Sequence, residues 1–136
     1  MKKMASYFIC VAVIAFLTTG ILFLCGYDQR RSIEFLKEFG WEVDENVIET
    51  EEVYIPKEFD AVYNNYNILQ EEAGLSLDSC RGKRGVRYTY RVKNYPVPVE
   101  DEVRANVICV RGKPVAGDIM TVRIDGFMHS LLYPPA

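Results

Sequence analysis

Residues 86–93 read VRYTYRVK, and the fold follows from how that run alternates. Val86, Tyr88, Tyr90 and Val92 fall on one side of an extended chain, Arg87, Thr89, Arg91 and Lys93 on the other. Successive side chains of a strand point to opposite faces, so the run predicts a half-buried β-strand with its tyrosines inward. Two more strands follow in EVRANVICV (102–110) and VAGDIMTVRI (115–124). RGKP joins them, a hairpin turn of the kind glycine supports. Gly117 inside the last run predicts a bulge or the close approach of another backbone.

Upstream of the alternation the period lengthens. EEVYIP (51–56) predicts a short strand, and Pro56 suits the first position of a helix. In KEFDAVYNNYNILQEEAG (57–74), Phe59, Val62, Tyr63, Tyr66, Leu69 and Ala73 form one apolar stripe, and Gly74 followed by Leu75 makes a helix stop. QRRSIEFLKEF (29–39) sets Ile33, Leu36 and Phe39 at helical spacing, with Asp28 to cap the start and Gly40 to close the end. The order is helix, strand, helix, three strands. It predicts an α+β domain: two helices packed on one face of an antiparallel sheet of about four strands.

Before this domain stands MASYFICVAVIAFLTTGILFLCG (4–26), which has no charged side chain. A helix needs roughly 20 mostly apolar residues to span a bilayer. The stretch is long for the apolar region of a cleaved signal peptide, and no A-x-A site follows it. Cys25 follows Leu24, a poor residue before a lipidated cysteine. Residues 1–26 therefore read as an uncleaved transmembrane signal anchor; cleavage and lipidation at Cys25 are the alternatives. Lys2 and Lys3 favour a cytoplasmic N-terminus, which sets residues 27–136 outside the cytoplasmic membrane, although Arg30 and Arg31 oppose that bias.

The formal net charge is −3; setting aside Lys2 and Lys3 from the 16 basic residues leaves 14 against 19 acids, or −5. A mildly acidic domain argues against a nucleic-acid partner. The charge is segregated. Residues 42–60 carry eight acids against Lys57 alone, whereas 81–93 carry Arg81, Lys83, Arg84, Arg87, Arg91 and Lys93 with no acid. The basic run, extended by Arg104 and Arg123, is a candidate surface for an anionic partner, either lipid headgroups or a wall polymer. The bland alternative is that the two segments neutralise each other.

Candidate chemistry is sparse. Asp118, Asp125 and His129 offer ligand types suited to a catalytic metal, but their spacing matches no ligand motif. No nucleophile elbow or phosphate loop is present, so neither catalysis nor a cofactor is expected. Cys80 and Cys109 form one disulfide if the domain is exported, and otherwise remain thiols.

Taken in order, FLKEFGWEV (35–43), YNILQ (66–70), RYTYRV (87–92), GDI (117–119) and DGFMHSL (125–131) resemble DUF4830, a family of small bacterial envelope proteins of unknown function. The resemblance covers residues 30–130 and is carried by Trp41, Tyr66, Asn67, Gly117, Asp118, Gly126 and Phe127. It implies an N-terminal apolar segment, and no activity, substrate or catalytic residue. The expectation is a membrane-anchored, non-enzymatic binding module outside the cell membrane, meeting an anionic lipid, a wall polymer or an envelope protein. The alternatives are a secreted or lipid-anchored form of it, or a small metal-dependent enzyme using Asp118, Asp125 and His129.

Overall fold

A computed structural model describes residues 26–132. The membrane anchor expected over residues 1–26 lies almost wholly outside them. Among the described residues no helix is long and apolar enough to cross a membrane.

Alternation at 86–93 gives strand β2 (Arg84–Arg91), the second of five antiparallel strands. Its neighbours are β1 (Glu49–Tyr54), β3 (Val103–Val110), β4 (Lys113–Thr121) and β5 (Met128–His129). Chain order and spatial order coincide. The fifth strand exceeds the four that were expected; two residues are too few to show a period. Between β3 and β4, Arg111 and Gly112 both have positive φ, at 53° and 74°, which suits the twist of a two-residue hairpin. The register slips between Ile108 and Cys109, leaving Val115 as the extra residue. The close approach is at Gly117: a Cβ there would lie 2.7 Å from the Asn106 carbonyl oxygen and 2.9 Å from Leu131.

Two apolar clusters lie on opposite faces. Tyr88, Tyr90, Ala105, Val107, Cys109 and Ile119 face one way, towards Leu36 of helix α1, whose described part covers residues 26–38. Leu36 is fully buried, which contributes about 2 kcal/mol. Ile108, Val110 and Ala116 face the other way, where Phe59, Tyr66 and Leu77 meet them. Helix α2 (Ala61–Glu72) lies on this second face. The two helices therefore sandwich the sheet instead of sharing one side. The reason lies in β3, where Val103, Ala105, Val107 and Cys109 are apolar towards α1 while Ile108 and Val110 are apolar towards α2, so both faces need cover.

Helix boundaries follow cap chemistry. Asp60, not Pro56, starts α2, because its carboxylate accepts from the Tyr63 N–H at 2.9 Å. Asp28 lies within α1 instead of capping it, since the helix is already formed at residue 26. Gly40 and Gly74, with φ of 88° and 75°, end the two helices alike. The Trp41 N–H reaches back to the Leu36 carbonyl at 3.1 Å, and the Leu75 N–H to that of Gln70 at 2.8 Å.

Candidate functional site

Alternation along three strands sets polar side chains beneath α2. Thr89 and Arg87 come from β2, Asn106 from β3 and Asp118 from β4; Asn106 pairs with both Thr89 and Asp118 in register. The Thr89 hydroxyl donates to Asn106 Oδ1 at 2.7 Å, and Asn106 Nδ2 donates to Asp118 Oδ2 at 3.0 Å. From above, the Tyr66 hydroxyl donates to Asp118 Oδ1 at 2.7 Å. Thr89, Asn106 and Asp118 are buried. Desolvation raises the Asp118 carboxyl above the usual range, opposed by the bonds from Asn106 and Tyr66. Burial, and then Asp118, push the Tyr66 phenol well above its ordinary value.

This chain of bonds floors a groove of about 500 Å³ between α2 and the sheet. Val62, Leu69, Ile55, Ile108, Met120 and Met128 wall it. Val62 is 73% exposed and Met128 48%, so the upper wall stands in solvent. Val62 thus belongs to the stripe expected from sequence, yet faces open space. Asn67 and Gln70 take buried places on α2 instead. Asn67 Oδ1 accepts from the Leu77 N–H, and Gln70 Oε1 from the Gly117 N–H, so both hold α2 down through backbone groups.

Arg87 enters from the β1 side. Its Nη2 pairs with Glu51 and stands 3.9 Å from Glu49. Its Nε is shielded from solvent and has no hydrogen-bond partner among the described residues. A buried donor left unbonded is destabilising, and Arg87 is among the residues that line the groove.

The remaining basic residues divide. Arg81 pairs with Asp78 at 2.9 Å and lies over the Phe59 ring, Arg84 stands 3.6 Å from Glu52, and Arg91 3.6 Å from Asp44. Arg104 meets Glu102, and Arg123 meets Asp101 and Asp125. Exposed pairs of this kind are worth about 0–1 kcal/mol, so they neutralise charge more than they hold the fold. Lys83 and Lys93 have no carboxylate within 4.0 Å among the described residues.

The triad of Asp118, Asp125 and His129 is not assembled. His129 pairs in register with Ile119 and so shares the α1 face, opposite to Asp118. There its Nδ1 donates to the Ser130 carbonyl at 2.7 Å, Nε2 lies 3.0 Å from the Tyr95 hydroxyl, and the ring stacks on Phe127. Asp125 lies in the turn before β5, with Arg123 at 3.3 Å. Among the described residues no group of three His, Cys, Asp or Glu side chains is arranged to hold a metal ion. Cys80 and Cys109 are both free thiols, in different clusters on opposite faces of the sheet. Burial, with Asp28 adding to it, pushes the Cys109 thiol up to about 12.

Sequence reasoning passed over the Thr89–Asn106–Asp118–Tyr66 chain. Its signal was there in polar residues standing at core positions of periodic runs: Asn106 in VRANVICV, Asp118 in GDIM, and Asn67 and Gln70 in NYNILQ.

A family model described as "Domain of unknown function (DUF4830)" matches residues 35–119, from the last turn of α1 to near the end of β4. Asp125, Gly126, Phe127 and His129 lie beyond the matched span. No curated protein and no solved structure matches the chain.

Proposed function

The chain belongs to the DUF4830 family, and from that premise we propose that it is a membrane-anchored, extracytoplasmic binding module. In this reading it is not an enzyme, and the groove between α2 and the sheet is its binding site. The function of the family is unknown, so the reading rests on the chain's own residues. The uncharged stretch 4–26 has the length of a bilayer-spanning helix, and Lys2 and Lys3 precede it on the side that favours the cytoplasm.

The observation that carries the binding role is the apolar groove between α2 and the sheet, open to solvent at Val62 and Met128 and lined in part by Arg87, whose Nε–H is unsatisfied. Tyr66, Asn106 and Thr89 already spend their donors on Asp118 and on one another, while Arg87 Nε–H has none to meet. A ligand with an apolar body suits the groove walls, and a carbonyl oxygen on it suits the Arg87 Nε–H once the guanidinium turns to meet it. A neutral oxygen suits better than a carboxylate, because the Asp118 carboxyl stands in the same groove.

The test uses the full chain in lipid nanodiscs, labelled with ¹³C at the methionine methyl groups. Met120 and Met128 line the groove, while Met1 and Met4 precede the domain. Titration with 4-phenylbutan-2-one, a neutral aryl ketone, is expected to move the Met120 and Met128 signals to saturation. Leu69→Arg, which fills the groove mouth with a cation, is expected to abolish the shift. Shifts that grow linearly with ketone, or none at all, reject the groove as a binding site.

A further inference from the structure

The hairpin turn between β3 and β4 lies beside the first described turn of α1. Arg31 Nη1 donates to the Gly112 carbonyl at 3.1 Å, and the Asp28 carboxylate lies where a Gly112 side chain would begin. Arg84 opens β2 at the same end of the sheet, and Arg84, Arg111, Glu52 and Asp28 border one shallow depression. Lys113 pairs with Val110 across the turn, and Lys83 directly precedes Arg84. One end of the domain thus gathers Arg30, Arg31, Lys83, Arg84, Arg111 and Lys113 around two carboxylates, Asp28 and Glu52. No acid lies within 4.0 Å of Arg30, Lys83, Arg111 or Lys113 among the described residues. At the opposite end Arg91, Arg104 and Arg123 each stand beside an acid, and Lys93 alone of that group does not.

This basic end is also where the chain before residue 26 joins the domain. The uncharged stretch 4–26 runs directly into α1, with no linker to carry the domain away. Tyr27, half exposed at the junction and lying under the Arg31 guanidinium, is a residue type that settles at a membrane–water interface. We propose that the end of the sheet formed by Arg84, Arg111, Lys113 and the start of α1 is a docking surface for an anionic lipid bilayer. Docked there, the domain stands with its strands rising from the membrane and the turn at Ile124 pointing away. Anionic headgroups attract Lys and Arg within a Debye length, so the contact is sensitive to salt. The inference deepens the anchored reading and rests on it.

The test reconstitutes the full chain into nanodiscs of phosphatidylcholine, with or without phosphatidylglycerol, each carrying a lipid with a nitroxide headgroup. The nitroxide broadens amide signals in proportion to their closeness. The Gly112 amide reports the basic end and the Ile124 amide the far one. Docking predicts a several-fold rise in the Gly112 to Ile124 broadening ratio when phosphatidylglycerol is present. High salt is expected to reverse the rise, and the triple variant Arg84→Gln, Arg111→Gln, Lys113→Gln to lack it. The unmodified chain under salt gives the answer even if the variant folds poorly. A ratio indifferent to both lipid charge and salt overturns the docking surface and leaves the anchor intact. A chain that stays outside the discs overturns the anchor instead; adding preformed discs to it then reads the docking alone by the same ratio.

Discussion

Asp118 concentrates the chemistry of the groove floor. It is buried, accepts from Tyr66 and Asn106, and has its carboxyl raised by desolvation. A folded-state value above the unfolded one means that folding favours the protonated form. The stability this group contributes is fully present below the ordinary carboxylate range and is lost as pH rises through its raised value. Asp78 runs the other way, lowered by its bond from Arg81, so the pH profile of the whole chain mixes signs. Comparison with Asp118→Asn separates them. From about pH 4 to 8 the thermal midpoint of the unmodified chain in detergent is expected to fall relative to that of the variant. Parallel curves would show that Asp118 ionises as freely in the fold as out of it. Its place in a buried chain of bonds was not legible from GDI, because a lone acid in a strand reads equally well as a turn or a bulge. The register that brings Asn106 opposite Asp118 depends on a hairpin and a slip at Ile108 that no local pattern announces.

Helix α2 is one wall of the groove, and its anchorage is specific. Asp60 caps its start, Tyr66 and Gln70 bond into β4, and Asn67 holds the Leu77 N–H. Asp60→Ala removes the cap and is expected to lower stability by about 1 kcal/mol, read as a lower urea midpoint, with Asp60→Asn recovering most of it. Equal midpoints for all three chains would mean that the Tyr63 N–H finds another partner. The existence of this helix was legible from its stripe and its Gly74 stop. Its start was not, since Pro56 and Asp60 both signal a helix beginning and only the cap geometry chooses between them. Strand β2 was legible because its period is two, down to its inward tyrosines. What misled was the order of elements, helix, strand, helix and three strands, which does not say how many faces of the sheet are covered. VRANVICV beside β2 carries apolar residues at consecutive positions, the mark of a strand covered on both faces, and it explains why the helices part.

At the scale of the molecule, a five-stranded sheet with a helix on either face leaves charge to decide how the domain sits. The acidic β1 lies alongside the basic β2, and Glu49, Glu51 and Glu52 meet Arg87 and Arg84 across the ladder. That pairing consumes much of the basic run that looked, in sequence, like one continuous surface. Several cations that remain without an acid, Arg30, Lys83, Arg111 and Lys113, gather by tertiary contact from α1, the start of β2 and the β3–β4 turn, which is why no stretch of sequence displays them together. Orientation across the membrane is open to direct measurement. Protease shaving of intact, wall-stripped cells is expected to remove a C-terminal tag from the cell-bound chain. A tag that resists until lysis would set the domain on the cytoplasmic side, and a tag in the medium before protease would mean that the apolar stretch is cut away.

Trp41 closes α1 by donating its indole N–H to the carbonyl of Leu131 at 2.7 Å, a partner 90 residues further along. Leu131 in turn fills the space that Gly117 leaves open. A chain is born from its N-terminus, so this latch has no partner until almost the whole domain has been made. At ordinary rates of synthesis the wait is on the order of 10 seconds. For that interval the indole N–H waits for this acceptor. The bond that ties the end of α1 to the last described residues is therefore among the last that synthesis allows, and a chain cut short before Leu131 deprives the indole of this acceptor.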